Sequence, residues 1–371
     1  MTVEESLFQF YQKNALELQS GKSLEGSVAW QSPSNIAIVK YWGKHGNQLP
    51  NNPSVSFTLS HARSETSIRY HYKPTRGVSL DFFFEGMPNA AFGQKILTFM
   101  QSILPVFPFL NHLHLSIESK NTFPHSSGIA SSASSMSALV MCLMEIEKQI
   151  SNFSTDTAMF LRKASYFSRL GSGSAARSVF PYAGLWGKTD EVPESSDEFA
   201  IPLAQILHPV FKTFRDSILI ISSGTKPVSS RAGHALMEGN PFAAARYEQA
   251  NKNTGDLLNA LKTGDLEAFI DIAEAEALQL HALMMTSKPS FILMQPESLA
   301  AISALRSFRN ETGIPVSFTL DAGPNLHVLY PENYSNEVTD FIRNELLHYC
   351  QNQSWIDDCV GSGPSPIALN S

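Results

Sequence analysis

The chain has 371 residues, enough for two domains, and its 43% hydrophobic and 16% charged residues are the balance of an ordinary globular protein. A net charge of −7 excludes a non-specific nucleic-acid binder, so positive charge for any polyanion must be gathered locally, with Lys40, Lys44, Arg177 and Arg231 as candidates. The three cysteines lack metal-ligand spacing, no basic-then-apolar leader opens the chain, and no apolar run reaches the ~18 residues of a membrane span; a cytoplasmic location with no membrane partner is expected.

Residues 1–27 read as a helical extension, with Leu7, Phe10, Tyr11, Ala15 and Leu18 at helical spacing up to Gly21. Ile36–Val39 reads as a buried strand, followed directly by Lys40-Tyr41-Trp-Gly-Lys44. Two lysines around an aromatic suit either a solvated strand end or a site where fixed ammonium groups meet a carboxylate or a phosphoryl group. Thr66–Tyr72 and Val78–Phe84 are β-rich on either side of a Pro74–Gly77 turn, Ala90–Met100 reads helical and Leu113–Ile117 is a strand. Met136–Ile150 is a long helix. Between the last two lies Pro124-His-Ser-Ser-Gly-Ile-Ala-Ser-Ser-Ala133. Small residues let backbone N–H groups approach a phosphate, and a helix N-terminus behind them adds free donors and a positive dipole end. The alternative is a Ser/Ala-rich helix start with capping serines. The Walker pattern is absent. The hydroxyls of Ser127, Ser131 and Ser132 suit phosphate or Mg²⁺, and His125 reads as a surface residue.

Gly171-x-Gly173-x-x-Ala176 satisfies a dinucleotide fingerprint, but Lys163–Leu170 before it reads helical and no strand introduces the glycines. Gly184–Thr189 is too short for a P-loop. Arg177 reads either as a helix-surface residue or as a bidentate carboxylate clamp. Asp190–Glu198 is an acidic surface loop, and Ser217–Ile221 is a core strand that opens the second domain. Ser229-Ser230-Arg231 suits an anion site or a helix N-cap. Phe242–Leu261 and Leu266–Leu280 form a helical hairpin broken at Gly264, with Leu266, Phe269, Ile270, Ala273, Ala277 and Leu280 on one apolar face. Val316–Leu320 and Leu326–Tyr330 are strands flanking Asp321-Ala-Gly-Pro-Asn325. Asp321 is either an Asx-turn residue or a carboxylate held rigidly over a cleft. Strands and helices mix without strict βαβ alternation, which points to the α+β class.

Four blocks stand in order: Ser32-Pro-Ser-Asn-Ile-Ala-Ile-Val-Lys-Tyr-Trp-Gly-Lys44 with Leu49-Pro-Asn-Asn-Pro-Ser54; the Pro124–Ala133 loop; Arg169-Leu-Gly-Ser-Gly-Ser-Ala-Ala-Arg-Ser178; and Thr319-Leu-Asp-Ala-Gly-Pro-Asn325. Val360-Gly-Ser-Gly-Pro364 closes the series. The loop resembles the ATP loop of the GHMP small-molecule kinases, and the four blocks together are similar to the diphosphomevalonate decarboxylases of that superfamily. The resemblance implies a GHMP kinase fold after the 1–27 extension. Its N-terminal ATP-binding domain, like ribosomal protein S5 domain 2, would span 28–205, and a ferredoxin-like C-terminal domain would span 206–371, with the active site between them.

The implied reaction is ATP-dependent decarboxylation of (R)-mevalonate 5-diphosphate to isopentenyl diphosphate in the mevalonate pathway of isoprenoid biosynthesis. ATP would be co-substrate, Mg²⁺ would arrive with it, and the assembly would be a homodimer. By resemblance Asp321 is the catalytic aspartate with Lys40 beside it, and Arg177 holds the substrate carboxylate. Tyr41, Lys44, Ser172, Ser174, Ser230 and Arg231 would contact substrate phosphates, and Pro124, Ser127, Gly128, Ser131, Ser132 and Ala133 would form the ATP loop. The chain departs from the family pattern at His234 (usually Met), Ile129 (usually Leu) and Pro53 (usually Ser or Asp). His234 would stand near the diphosphate and so opens the choice of phosphorylation state. The alternatives are a phosphomevalonate decarboxylase, a mevalonate 3-kinase, or a non-catalytic metabolite-binding protein on the same scaffold. Lys40 and Asp321 together favour a decarboxylase, Lys44 and Arg231 favour a diphosphate, and the presence of Asp321 and the loop serines argues against the non-catalytic binding protein.

Overall fold

The computed structural model describes residues 6–16, 24–124, 129–151, 156–224 and 230–369. Helix α1 (Leu7–Lys13) is opened by a capping box between Ser6 and Gln9, and Tyr11 buries its ring against Tyr166 and Phe167. Leu18 and Gly21 lie outside the described residues.

Six longer strands build the first sheet: β1 (Glu25–Ala37), β2 (Ser54–Tyr72), β3 (Ser79–Phe84), β4 (Leu113–Asn121), β5 (Ala183–Trp186) and β6 (Ala200–Pro202). The long strand β2 is its spine. It runs antiparallel to β1 from Glu25↔His71 to Ala37↔Ser56, to β4 along its second half, and to β5 along its first. The β1 register slips between Pro33 and Asn35, where proline has no N–H to give the ladder. Parallel pairing of β3 with β4 and two short strands, Met87–Pro88 and Ser365–Pro366, complete the sheet. Along β4, Leu113, Leu115 and Ile117 alternate inward. They pack in one core with residues of α2 (Ala90–Ile103), α3 (Ser131–Ser151) and α4 (Thr157–Gly171).

Several boundaries differ from the sequence reading, among them β2, which starts twelve residues before Thr66. Strand β1 begins eleven residues before Ile36 and ends at Ala37, while Ile38, whose N–H still donates to Val55 O at 2.8 Å, and Val39 stay buried beyond it. Helix α3 starts at Ser131, five residues before its apolar periodicity begins at Met136.

The second sheet contains β7 (Arg215–Leu219), β8 (Ser317–Thr319), β9 (Leu326–Tyr330) and β10 (Trp355–Cys359), in the antiparallel order β8-β9-β7-β10. Helices lie between its first and second strands and between its third and fourth. That is the ferredoxin-like arrangement. The helices are α5 (Ser230–Ala235), α6 (Ala243–Thr263), α7 (Leu266–Met285), α8 (Pro296–Thr312) and α9 (Ser335–Phe341). The α6–α7 hairpin turns at Gly264, whose φ of 81° suits glycine, and an added Cβ would meet His208 at 2.7 Å.

The two halves share a core in which Phe57 of β2 packs with Phe211, Phe214 and Phe269. Asp358 of β10, fully buried, accepts the backbone N–H groups of Ser60, His61 and Ala62 at 2.9, 2.7 and 2.7 Å. Among the described residues no helix is long and apolar enough to cross a membrane.

Candidate active site

A cleft of about 820 Å³ opens between the halves. It gathers Lys40, Tyr41 and Lys44 from the segment after β1, Ser131 and Ser132 from the start of α3, Ser172, Ser174 and Arg177 from the turn after α4, His234 from α5 and Asp321 from the loop after β8.

Lys40 and Asp321 stand 281 positions apart in sequence and 2.8 Å apart in space, Nζ to Oδ1. Lys40 is only 1% exposed. Burial pushes its ammonium below the ordinary lysine range, Asp321 and Glu276 push back, and Arg177 adds to the lowering. The Lys40 main chain is held as firmly as its side chain. Its N–H donates to Glu276 Oε2 at 2.8 Å, and its carbonyl accepts from Asn52 Nδ2 at 3.0 Å and Arg246 Nη2 at 3.4 Å.

Arg177 is 2% exposed, which removes the helix-surface reading. It follows a short 3-10 turn, Gly173–Ala176, donates from Nη1 to Ser54 Oγ, and lies over the Trp186 ring at 5.8 Å. Burial draws it down to about 10, opposed by Asp321 and Tyr41. Among the described residues it has no ion-pair partner, and its Nε is buried without a hydrogen bond. A buried cation in that state is costly until an anion arrives.

Tyr41 packs between Trp186 and His234, with ring centroids at 4.7 and 4.4 Å, and its buried hydroxyl has no partner among the described residues. Burial raises its pKa well above the ordinary tyrosine range. His234 is stacked between Tyr41 and Trp42 and accepts the Gly43 N–H at Nδ1, 2.9 Å. Burial, then the charge of Lys44, pushes it down to about 3. The ring is therefore neutral, with its proton on Nε2. Lys44 Nζ bonds Gln48 Oε1 at 2.6 Å across the small Lys44–His45/Leu49–Pro50 hairpin.

At the start of α3, Ser131 Oγ accepts from Asn121 Nδ2 at 2.9 Å, and Ser132 Oγ meets Ser172 Oγ at 3.4 Å. Pro124 is exposed and Ala133 buried, and neither lines the cleft. Ser127 and Gly128, with the side chains of Ser230 and Arg231, lie outside the described residues. Ile129 is buried, its carbonyl accepting from Ser34 Oγ at 2.5 Å.

Two features escaped the sequence reading. One is an aromatic arm of the cleft lined by Phe82, Phe84, Phe92 and Phe99, with Phe82 and Phe84 edge-on to Phe92. The unbroken Phe82-Phe83-Phe84 run, where a half-buried strand would alternate, was the available signal. The other is Glu276, a carboxylate at helical spacing inside the apolar stripe of Phe269, Ala273 and Leu280.

Comparison with known proteins agrees with the geometry. The diphosphomevalonate decarboxylase-like N-terminal domain matches residues 32–200, and the mevalonate 5-diphosphate decarboxylase C-terminal domain matches 217–364. Diphosphomevalonate decarboxylase from Gibberella zeae is 30% identical over 316 residues, covering 81% of this chain and 80% of the relative. This chain belongs to the diphosphomevalonate decarboxylase family. Among solved structures of the family, mevalonate diphosphate decarboxylase from Staphylococcus aureus aligns with a TM-score of 0.80 at 26% identity, over 93% of this chain and 99% of that one. A complex of MDDEF with MVAPP, AMPPCP and magnesium aligns with a TM-score of 0.77 at 27% identity, over 93% and 100%. A sibling, phosphomevalonate decarboxylase from Haloferax volcanii, is 25% identical over 82% of this chain and 88% of its own length.

Proposed function

We propose that this diphosphomevalonate decarboxylase family member converts (R)-mevalonate 5-diphosphate and ATP into isopentenyl diphosphate, ADP, phosphate and CO₂. The observation that carries the reading is the Lys40–Asp321 pair beside Arg177, a buried cation with no ion-pair partner among the described residues. The Asp321 carboxylate accepts the C3-hydroxyl proton as that oxygen attacks the γ-phosphorus and the bond to ADP breaks. Lys40 stabilises charge there. The new phosphate then leaves C3. The bond to the carboxylate carbon breaks, and its electron pair forms the alkene as CO₂ departs. Arg177 orients that carboxylate, for which its planar fork is suited.

Tyr41 and Lys44, together with Ser230 and Arg231, are assigned to the substrate diphosphate, and Ser172 and Ser174 to the phosphates alongside it. Pro124, Ser127, Gly128, Ser131, Ser132 and Ala133 form the ATP loop in this reading, and the phenylalanine arm has the apolar, flat-walled character that suits the adenine base. Among the described residues no cluster of three His, Cys, Asp or Glu could hold a metal. Serine hydroxyls at the α3 start and phosphate oxygens fit Mg²⁺ that enters with the nucleotide and neutralises its charge. The reading includes a homodimer, a cytoplasmic location, and a domain division near residues 205–206, all by family likeness.

The test is an end-point assay of purified protein with Mg-ATP and, separately, mevalonate, its 5-phosphate and its 5-diphosphate, following ADP and CO₂. Equal ADP and CO₂ from the diphosphate alone is the expected result. CO₂ from the monophosphate instead would support the second reading, a phosphomevalonate decarboxylase. His234, standing between Tyr41 and Trp42 where the family usually has Met, is the residue that opens this second reading. ADP without CO₂ would make the chain a 3-kinase.

A further inference from the structure

Helix α7 touches both members of the Lys40–Asp321 pair through their main chains. Glu276, fully buried, accepts the Lys40 N–H at Oε2 (2.8 Å), shares that oxygen with Arg246 Nη2 (2.5 Å), and accepts Asn253 Nδ2 at Oε1 (2.6 Å). Five residues on, His281 is 1% exposed, and its Nε2 lies 3.2 Å from the backbone oxygen of Asp321. Lys40 belongs to the N-terminal half and Asp321 to the C-terminal half. One stretch of rigid helix, about 7.5 Å long at 1.5 Å per residue, therefore spans the pair.

We infer that α7 is a jig that sets Lys40 against Asp321 across the two halves, with Glu276 and His281 as positioning residues. A buried carboxylate is a poor device for stability alone, since apolar packing of equal volume costs less desolvation. A carboxylate does accept three converging donors at once, which an amide or an apolar group cannot. A main chain fixed at both ends leaves the Lys40 and Asp321 side chains little room to miss each other, and misplacement by about 1 Å can cost about a hundredfold in rate. The groups facing Lys40 are Asp321 from the loop after β8, Glu276 from α7, Arg246 from α6 and Arg177 from the turn after α4. Glu276 is the second carboxylate in that set, so it also helps keep Lys40 protonated.

The inference rests on the proposed reaction, and the test separates the two. Wild type, Glu276→Gln, His281→Leu and His281→Gln are compared for kcat, both KM values, the pH profile of kcat, and amide hydrogen exchange at Lys40. In Glu276→Gln, kcat should fall at least about tenfold, with each KM within about threefold, the pattern of a lost transition-state interaction. Its alkaline limb should move to lower pH, because a charge that holds Lys40 protonated is gone. His281→Leu should lose kcat likewise, and His281→Gln, which keeps an N–H donor, should recover most of it.

The jig is overturned by kcat within about twofold of wild type in folded Glu276→Gln and His281→Leu. It is also overturned by an unmoved alkaline limb together with Gln no better than Leu at 281, the mark of packing alone. Should Glu276→Gln not fold, the 281 pair decides in the same way. A wild type inactive on every mevalonate substrate would sink the reaction but leave the exchange measurement standing. Faster Lys40 exchange in Glu276→Gln would then support the jig, and unchanged exchange would overturn it.

Discussion

His234 stays neutral because its ring is walled in by Tyr41 and Trp42, its Nδ1 is occupied by the Gly43 N–H, and Lys44 repels a second positive charge. With a folded value of about 3 against an ordinary 6.5, the unfolded chain binds a proton in that window and the folded chain does not. Stability therefore falls as pH drops from 6.5 toward 3. Between pH 6.5 and 5, His234→Met should lose less stability than wild type, by up to about 2 kcal/mol at about 1.4 kcal/mol per unit. Urea unfolding at both pH values measures this, and parallel losses would contradict it. Asp321→Asn should nearly abolish turnover while ATP affinity, read by calorimetry, stays within about threefold, since the change is isosteric and removes only the basic oxygen. Arg177→Lys should cost about a hundredfold or more in kcat/KM for the mevalonate substrate, because an ammonium cannot reproduce the fork held between Ser54 and Trp186. Steady-state kinetics decide that. From residues alone, Asp321 and Arg177 each had a bland reading, and only the family resemblance tipped the choice. The 2.8 Å contact with Lys40, likewise, was implied by the resemblance alone, since a separation of 281 positions says nothing of it. The polar clamp on Lys40 was hidden because its donors and acceptors come from four separate segments.

Among the elements, those with strong periodicity were legible. The α6–α7 hairpin, its break at Gly264 and the apolar face of α7 stand where the spacing puts them. Strand β1 was read short because Glu25–Gln31 mixes polar and small residues, and its burial is imposed by its two neighbouring strands rather than by its own composition. The start of α3 was legible only as the alternative of a Ser/Ala-rich helix start, because its serine-rich first turn is held by hydroxyl and amide contacts, Asn121 to Ser131 and Ser64 to Ser134, which leave no apolar period. Turns offer a sharper test. Gly77 and Gly187 have φ of +113° and +105°, but a Cβ on Gly77 meets nothing, whereas one on Gly187 would lie 2.6 Å from Pro53 Cα. Gly77→Ala should cost about 1 kcal/mol from backbone strain, and Gly187→Ala clearly more, as read by denaturant midpoints. Equal costs would show that Pro53 yields. That contact also gives the unusual Pro53 a structural setting, as backbone packed on the turn after β5.

At the scale of the whole molecule, the α+β class and the ferredoxin-like second half were open to sequence reasoning, but the joint between the halves was not. That joint depends on Asp358, the inward-facing one of two adjacent aspartates in a short strand, just before the closing Val360–Pro364 block, where nothing in the sequence marks which of the two is buried. Its two oxygens take three backbone N–H groups from β2, next to the shared Phe57, Phe211, Phe214 and Phe269 core. Asp358→Ala should lower stability by at least about 2–3 kcal/mol, the cost of leaving such donors unmet, and should loosen both halves together because the core is common to them. Hydrogen exchange would show protection lost on both sides of the joint; loss confined to the second sheet would contradict it.

Beyond the joint the backbone crosses back. Val360 bridges Leu59, the Gly361 N–H reaches Thr58, and Ser365–Pro366 pairs with Trp30 and Gln31 of β1. During synthesis, then, the earliest-made strand waits with an open edge until residues 360–367 have cleared the ribosome. Maturation of this sheet is timed by translation of its most distant segment, so the half made first is the half finished last.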